Sequence, residues 1–310
     1  MHNFRYFFGR LCGAIPTLLA IVTITFFLIR LAPGGPFDQE QTLPADVLAN
    51  LNAAYGLNEP MWRQYLHYIG GLAHGDFGPS FRYKDFTVTE LIAQGLPVSA
   101  TLGAIAILIA TVAGVAVGTF AALHHKSIAD HASMALAVAG IAIPSFVLLP
   151  ALGLLFGVTL HWLPVAGWTP GSAADLVLPV VTLSLPPLAY IARLTRGSML
   201  EVLQSPYIRT AFAKGLPRGT IVMRHALRPA LIPVASYLAP AVAMVMTGSL
   251  VVETIAGLPG IGRYLVQGAL NRDYTLVLGM VIVYSAILIF MGLVADAAIA
   301  WLDPRVRLEA

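Results

Sequence analysis

The sequence predicts an all-α integral membrane protein with six transmembrane helices and an extracytoplasmic lobe between the first and second. Three observations predict it. The 310 residues are 58% hydrophobic and only 11% charged, with a mean hydropathy of +0.79, where a soluble domain carries about 25% charge. Six charge-poor apolar runs approach or exceed the roughly 20 residues that cross a hydrocarbon core. The basic residues gather beside those runs, mostly on one side. A composition this apolar excludes a disordered chain. The 28 glycines and 21 prolines have no Gly-X-Y period, and the single cysteine, Cys12, excludes an intrachain disulfide or a multi-cysteine metal site.

The first span is read at 11–29, 19 residues without a formal charge, closed by Arg30. Arg5 and Arg10 precede it as in a signal peptide, but no small-residue cleavage site follows, so it is expected to remain. The second span is placed at 98–123, inside the charge-free stretch from Glu90 to Lys126. The third, at 132–158, holds Pro144 and Pro150 and is expected to kink. The fourth, at 176–192, is short at 17 residues and carries Pro179, Pro186 and Pro187. The fifth runs over 229–252, and the sixth over 275–300 with Asp296 as its one charge.

Six spans put both termini on one side. Arg5, Arg10, Lys126, Arg193, Arg196, Arg209, Lys214, Arg218, Arg224, Arg228, Arg305 and Arg307 share that side, twelve of the 18 basic residues. It is therefore expected to be cytoplasmic. The same distribution explains the net charge of +3 and the pI near 9.1 as topology, and no nucleic-acid motif accompanies it.

Residues 31–96 form the largest piece outside the membrane. Val47, Leu48, Leu51 and Tyr55 share one helical face, and Met61, Tyr65, Ile69 and Leu72 share another. Gly70-Gly71, Gly75 and Gly78-Pro79 punctuate the rest, so a small folded lobe is expected. On the cytoplasmic side, 193–228 is the most informative stretch. Ser205-Pro206 is a helix start signal, a short helix is expected over 207–214, and Gly215 suits a left-handed stop. Leu216-Pro217 ends it, and a second helical stretch runs from Arg218 towards the fifth span. A short helix lying across this loop is placed to press on a partner at the inner face.

Several chemistries are absent. None of the three lysines, Lys84, Lys126 and Lys214, follows a glycine, so no phosphate-cradling Gly-Lys-Ser/Thr loop exists and the chain cannot hydrolyse ATP that way. His124, His125 and His131 do not share one helical face, and with His67 and His74 they read as interfacial polar residues, not as metal ligands. Asp296 is a carboxylate within a span, the residue a proton-coupled secondary transporter would use. Its place five residues before Trp301 favours an interfacial role. The pairs Gly9/Gly13, Gly114/Gly118 and Gly153/Gly157 mark candidate helix contacts.

The stretch YIRTAFAKGL…HALRPALIP, from 207 to 233, resembles the EAA-type loop of permease subunits in bacterial binding-protein-dependent ABC importers. RLAPGGPF at 30–37, AHGDFGPSFRYKD at 73–85 and HWLP at 161–164 resemble the peptide/nickel group of that family. So do RGSMLEVL at 196–203, ETIAGLPGIG at 253–262, GALNRDYTLVL at 268–278 and the Asp303-Pro304-Arg305 tail. The nearest likeness is to oligopeptide permeases, with dipeptides, nickel complexes or glutathione as alternative cargo.

The resemblance implies an N-terminal helix plus periplasmic lobe over 1–96, a permease core over 97–302 with its coupling loop at 193–228, and a cytoplasmic tail over 303–310. It implies residence in the bacterial cytoplasmic (inner) membrane. It further implies a second homologous permease subunit, two ATPase subunits that use ATP and magnesium, an extracytoplasmic peptide-binding protein, and no cofactor on this chain. The coupling role carries over to Tyr207, Arg209, Thr210, Ala211, Ala213, Lys214, Gly215 and Leu216. The family's Glu-Ala-Ala is replaced here, with Arg209-Thr210 in the Glu region and Phe212 between Ala211 and Ala213 as an added apolar knob.

Overall fold

The computed structural model describes residues 2–31, 35–37 and 44–302, with the backbone alone at 2–12 and 45. The described residues are helical apart from connections and one isolated bridge, Pro79 with Thr87. In chain order the helices are α1 His2–Leu31, α2 Ala45–Ala54, α3 Met61–Ala73, α4 Val88–Leu123, α5 Ile128–Ala142 and α6 Ser145–Leu152. They continue with α7 Ala174–Leu203, α8 Pro206–Ala213, α9 Arg218–Thr220, α10 Leu227–Ala230, α11 Ile232–Ala256, α12 Ile261–Leu270 and α13 Tyr274–Leu302. Wider π-helical turns follow α6 at Gly153–Thr159 and α9 at Ile221–Ala226. The expected tail at 303–310 and residues 32–34 of the RLAPGGPF segment lie outside the described residues.

Five helices are long and apolar enough to cross a membrane: Gly13–Leu31, Val88–Leu123, Ala174–Leu203, Ile232–Ala256 and Tyr274–Leu302. The third expected span is more than kinked. Ile128–Ala142 and Ser145–Thr159 meet at 104°, and counting the pair as one span gives six. Proline chemistry explains the break. Pro144 disfavours the helical region for its predecessor, and Ile143 is extended, at φ −94° and ψ 116°.

The fourth span also differs from its expected bounds. α7 runs unbroken for 30 residues through all three prolines and ends at Leu203, so 193–203 is helix and not loop. Half of its apolar window is buried, and α5 and α11 pack against it. Neighbouring helices of this kind hold a proline-containing span straight. Thr195 and Met199, both buried, extend the same packed face beyond the expected end.

The chain divides into two compact units. One comprises Met1–Leu11, Ala100–Gly257 and Ile287–Ala310. Two of its core clusters are built around alanines: Ala110 with Ile191 and Val234, and Ala137 with Ala189 and Ala192. Gly114 and Gly118 of α4 lie against α7, where a Cβ would stand 2.9 Å from Ile191 and 2.4 Å from the Ala192 carbonyl oxygen. Gly153 and Gly157 pack instead against Val165, while Gly13 has no neighbour a Cβ would meet. Of the three glycine pairs, the one at 114 and 118 therefore makes a close helix crossing.

The other unit comprises Cys12–Ser99 and Leu258–Ala286. Here α3 lays Tyr65, Tyr68, Ile69 and Leu72 on Val22, Phe26 and Leu278. Leu48, Leu51 and Tyr55 of the α2 region pack on Phe37, Phe81 and Tyr274. Val47 and Met61, expected on these faces, are exposed. The buried carboxylate of Asp273 ties the 79–87 segment to α13. It accepts hydrogen bonds from the Ser80 hydroxyl and from the backbone amides of Phe81, Arg82 and Leu276. Five donors and acceptors in one buried cluster fix a local geometry that apolar packing alone would leave loose.

Candidate functional site

The expected short helix is present as α8, Pro206–Ala213, with Pro206 at its first position. Ser205 does not cap it through its side chain. Its hydroxyl donates to the Val202 carbonyl at 2.6 Å and closes the end of α7 instead. At the other end Gly215 takes φ +76°, the left-handed conformation that glycine adopts without penalty. The Gly215 amide donates to the Phe212 carbonyl at 2.9 Å and the Leu216 amide to the Ala211 carbonyl at 3.3 Å. These two bonds satisfy carbonyls that a helix end otherwise leaves open.

The inner face of α8 is held by packing. Ile208 and Ala211 are buried with Ala122, Met199, Ile221, Val222, Ala226 and Ala230. The outer face is different. Tyr207, Phe212 and Leu216 are 49%, 48% and 37% exposed, and Arg209, Thr210, Ala213, Lys214 and Gly215 are exposed beside them. Met223 and Arg224, from the following π-helical turn, are exposed as well, and the Tyr207 hydroxyl donates to the His225 carbonyl at 3.4 Å. No aspartate or glutamate occurs between 202 and 252. The structure thus brings the expected residues together on one short helix and the turn that closes it, but sorts them. Ala211 faces the packed interior with Ile208, and the others form a basic surface with three large apolar side chains.

One further group positions this surface, and the sequence reading missed it. Arg196 of α7 forms a two-pronged ion pair with Asp130 of α5, Nε to Oδ1 at 2.6 Å and Nη2 to Oδ2 at 2.7 Å. Asp130 is 1% exposed. Its carboxylate also accepts from the Lys126 amide at 3.0 Å, while Ser127 caps α5 by accepting from the Asp130 amide. A fork-on-carboxylate pair of this geometry fixes orientation as well as distance. It clamps α7 ahead of the point where α8 departs. The Ser127-x-x-Asp130 spacing is a readable helix start, but its partner lies 66 residues away.

The remaining candidates gather no site. His124 and His131 bond to the carbonyls of Phe120 and Ser127, four residues back, and His125 sits 3.5 Å from Asp130. Among the described residues no three His, Cys, Asp or Glu side chains group as a metal site would require. Asp296 is partly buried on α13. Farther along α13, Trp301 receives Arg228, whose guanidinium stands 5.5 Å from the indole and donates to the Trp301 carbonyl at 3.2 Å.

Comparison with known proteins gives the family. Residues 114–308 match the family model described as binding-protein-dependent transport system inner membrane component, and residues 3–103 match its N-terminal counterpart. The chain is 52% identical over 303 residues to the oligopeptide transport system permease protein OppB of Escherichia coli K12, covering 98% of this chain and 99% of that protein. It is 49% identical to OppB of Haemophilus influenzae over the same share of each chain. Against the dipeptide transport system permease protein DppB of Bacillus subtilis it is 44% identical, covering 98% of both.

Proposed function

Since the chain belongs to the binding-protein-dependent transport system inner membrane components, we propose that it is the permease subunit of an ATP-driven importer of oligopeptides. In this reading α8 is the element on which an ATPase subunit acts. The observation that carries it is the sorted helix: Ile208 and Ala211 anchor the inner face, and Tyr207, Phe212 and Leu216 are exposed among Arg209, Lys214 and Arg224. A helix fixed to its own protein on one side transmits a push received on the other. The exposed cations and apolar side chains suit a groove with an apolar floor and acidic walls.

ATP binding and hydrolysis belong to the partner subunits, because this chain has no phosphate-cradling loop. Closure of the ATPase pair would move α8, and through the Arg196–Asp130 clamp it would move α5 and α7 with it. Inward- and outward-facing states then exchange population, since ATP and the loaded binding protein favour one of them. A second homologous permease, two ATPases and an extracytoplasmic peptide-binding protein complete the assembly. Both termini, and the 193–228 stretch that carries α8, lie in the cytoplasm by the charge distribution. The 31–96 lobe then lies outside the cytoplasm, and the core over 97–302 spans the membrane.

The oligopeptide cargo is supported by 52% identity to an oligopeptide permease. Dipeptide permeases at 44% and 40% support the alternative cargo. Purification from native membranes in mild detergent, followed by ATP-driven uptake in vesicles, tests both levels. Recovery with two ATPases and uptake of peptides longer than dipeptides is the expected result. Uptake by the chain alone, independent of ATP and abolished by Asp296→Asn, would replace this reading with a proton-coupled transporter. Uptake confined to dipeptides would change the cargo.

A further inference from the structure

The first span has no length to spare. Gly13–Leu31 is 19 residues, about 28 Å at about 1.5 Å per residue, against a hydrocarbon core of about 30 Å. Leu31 therefore stands at one boundary of that core. Residues before it lie progressively deeper, Phe26 about 8 Å inside and Thr23 about 12 Å inside.

α3 is too short to span, yet it packs at those depths. The hydroxyls of Tyr65 and Thr23 share a hydrogen bond at 2.7 Å. The Tyr65 ring lies 5.3 Å from that of Phe26 and 5.6 Å from that of Phe27, and Tyr68 and Ile69 pack with Val22 and Phe26. Nearer the boundary, Gln64 accepts from Arg30 Nε at 3.1 Å. Both helices belong to one compact unit. At the same level of α1, Ile24 and Leu28 are exposed, and in a span such residues meet acyl chains.

At about 100° per residue, the sides of α3 are sorted three ways. Tyr65, Tyr68, Ile69 and Leu72 turn to protein. Arg63 and His67 are exposed one turn apart, and His67 lines a polar cavity with Gln64, Glu59 and Asp76. Between these two sides stand Trp62 and Leu66, 57% and 58% exposed. A helix in the plane of a bilayer boundary has this division, with apolar side chains dipping into the acyl chains and charges left in water. Tryptophan favours that level. The Arg63 guanidinium, 5.3 Å from the Trp62 ring, reaches the surface along its apolar stem while the ring enters.

We propose that α3 is embedded in the boundary of the leaflet where α1 ends at Leu31, with Trp62 and Leu66 among the acyl chains and Arg63 and His67 in water. The partner of this face is lipid. The lobe is thus seated in the bilayer by a helix that does not cross it, and its height above the membrane is fixed by that seat. The inference rests on α1 being a span and on nothing about the cargo.

The test is nitroxide labelling of the full chain in phosphatidylcholine nanodiscs, in a Cys12→Ser background, at Trp62→Cys, Leu66→Cys, Arg63→Cys and His67→Cys. Leu28→Cys supplies the value for a lipid-facing position. Oxygen, which concentrates in lipid, should relax the labels at 62 and 66 several-fold more than a water-soluble nickel chelate does, as at 28. The order should reverse at 63 and 67. Nickel dominating at all four positions would put α3 in water and overturn the proposal. Labels at 62 and 66 shielded from both reagents would mean that protein covers them, and also overturn it. A second measurement needs no substitution: a phospholipid with a photoactivated carbene precursor in its acyl chain should mark Trp62 and Leu66 in peptides from the unaltered chain. Marking of 13–31 without 61–73 would refute the seat even if every labelled variant folded poorly.

Discussion

Ile208 and Phe212 are four residues apart on α8, one turn on the same side of the helix, yet Ile208 is fully buried and Phe212 at the rim is 48% exposed, so their replacement by alanine should fail in different ways. A phenylalanine side chain presents about 200 Å², and Phe212 is 48% exposed, so about 100 Å² is free to be covered by a docking partner. At about 25 cal/mol per Å² that is about 2.5 kcal/mol, or about 60-fold in affinity. Phe212→Ala should therefore weaken ATPase-subunit binding by up to about 60-fold, leaving the permease's own melting temperature unchanged. Ile208 is fully buried against Met199, Ile221 and Ala226. Ile208→Ala opens a cavity and should destabilise the chain by about 2–5 kcal/mol, with any loss of binding following the loss of folded protein. The assay titrates purified ATPase subunits onto each variant in nanodiscs, with thermal denaturation and peptide uptake measured on the same samples. Unchanged binding and uptake for Phe212→Ala would refute the argument that the outer face of α8 is the docking surface. A lowered melting temperature for that variant would refute the sorting of the two faces.

Gly118→Ala places a methyl 2.4 Å from the Ala192 carbonyl oxygen and 2.7 Å from the Thr195 Cβ. It should force α4 from α7 at about 1–3 kcal/mol, read as a lower melting temperature in detergent. Arg196→Ala strands the buried Asp130 carboxylate and should destabilise by about 3 kcal/mol, the lower end for a broken buried pair. Adding Asp130→Asn should recover part of that loss, and a double variant no better than the single would count against the clamp. Gly215→Val must hold φ near +76° at about 1–2 kcal/mol, so uptake should fall faster than expression does. Asp46→Cys in a Cys12→Ser background should react with an impermeant maleimide from outside the cytoplasm, and labelling from the cytoplasmic side alone would invert the topology.

The sequence by itself determined the fold class and the approximate place of the apolar runs. Both follow from the length of apolar chain a bilayer accommodates and from the absence of water to satisfy a broken backbone inside it. It also set both ends of α8, because Pro206 and Gly215 act through their own backbone restrictions and freedoms. Tertiary structure decided the rest. The same proline chemistry that splits the third span at Pro144 leaves α7 continuous through Pro179, Pro186 and Pro187, because packing by α5 and α11 supports what local propensity disfavours. Start and stop signals gave α8 its ends but not its covered side, and only the cluster around Met199 and Ile221 shows that Ile208 and Ala211 are buried while Phe212 is half exposed. Val47 and Met61 carry the right spacing for buried faces and are nonetheless exposed, since burial depends on which neighbour arrives. The Asp130–Arg196 pair spans 66 residues and the Asp273–Ser80 bond 193. Contacts of that separation leave no trace in local pattern, because the energy that holds them exists only once the helices between have packed.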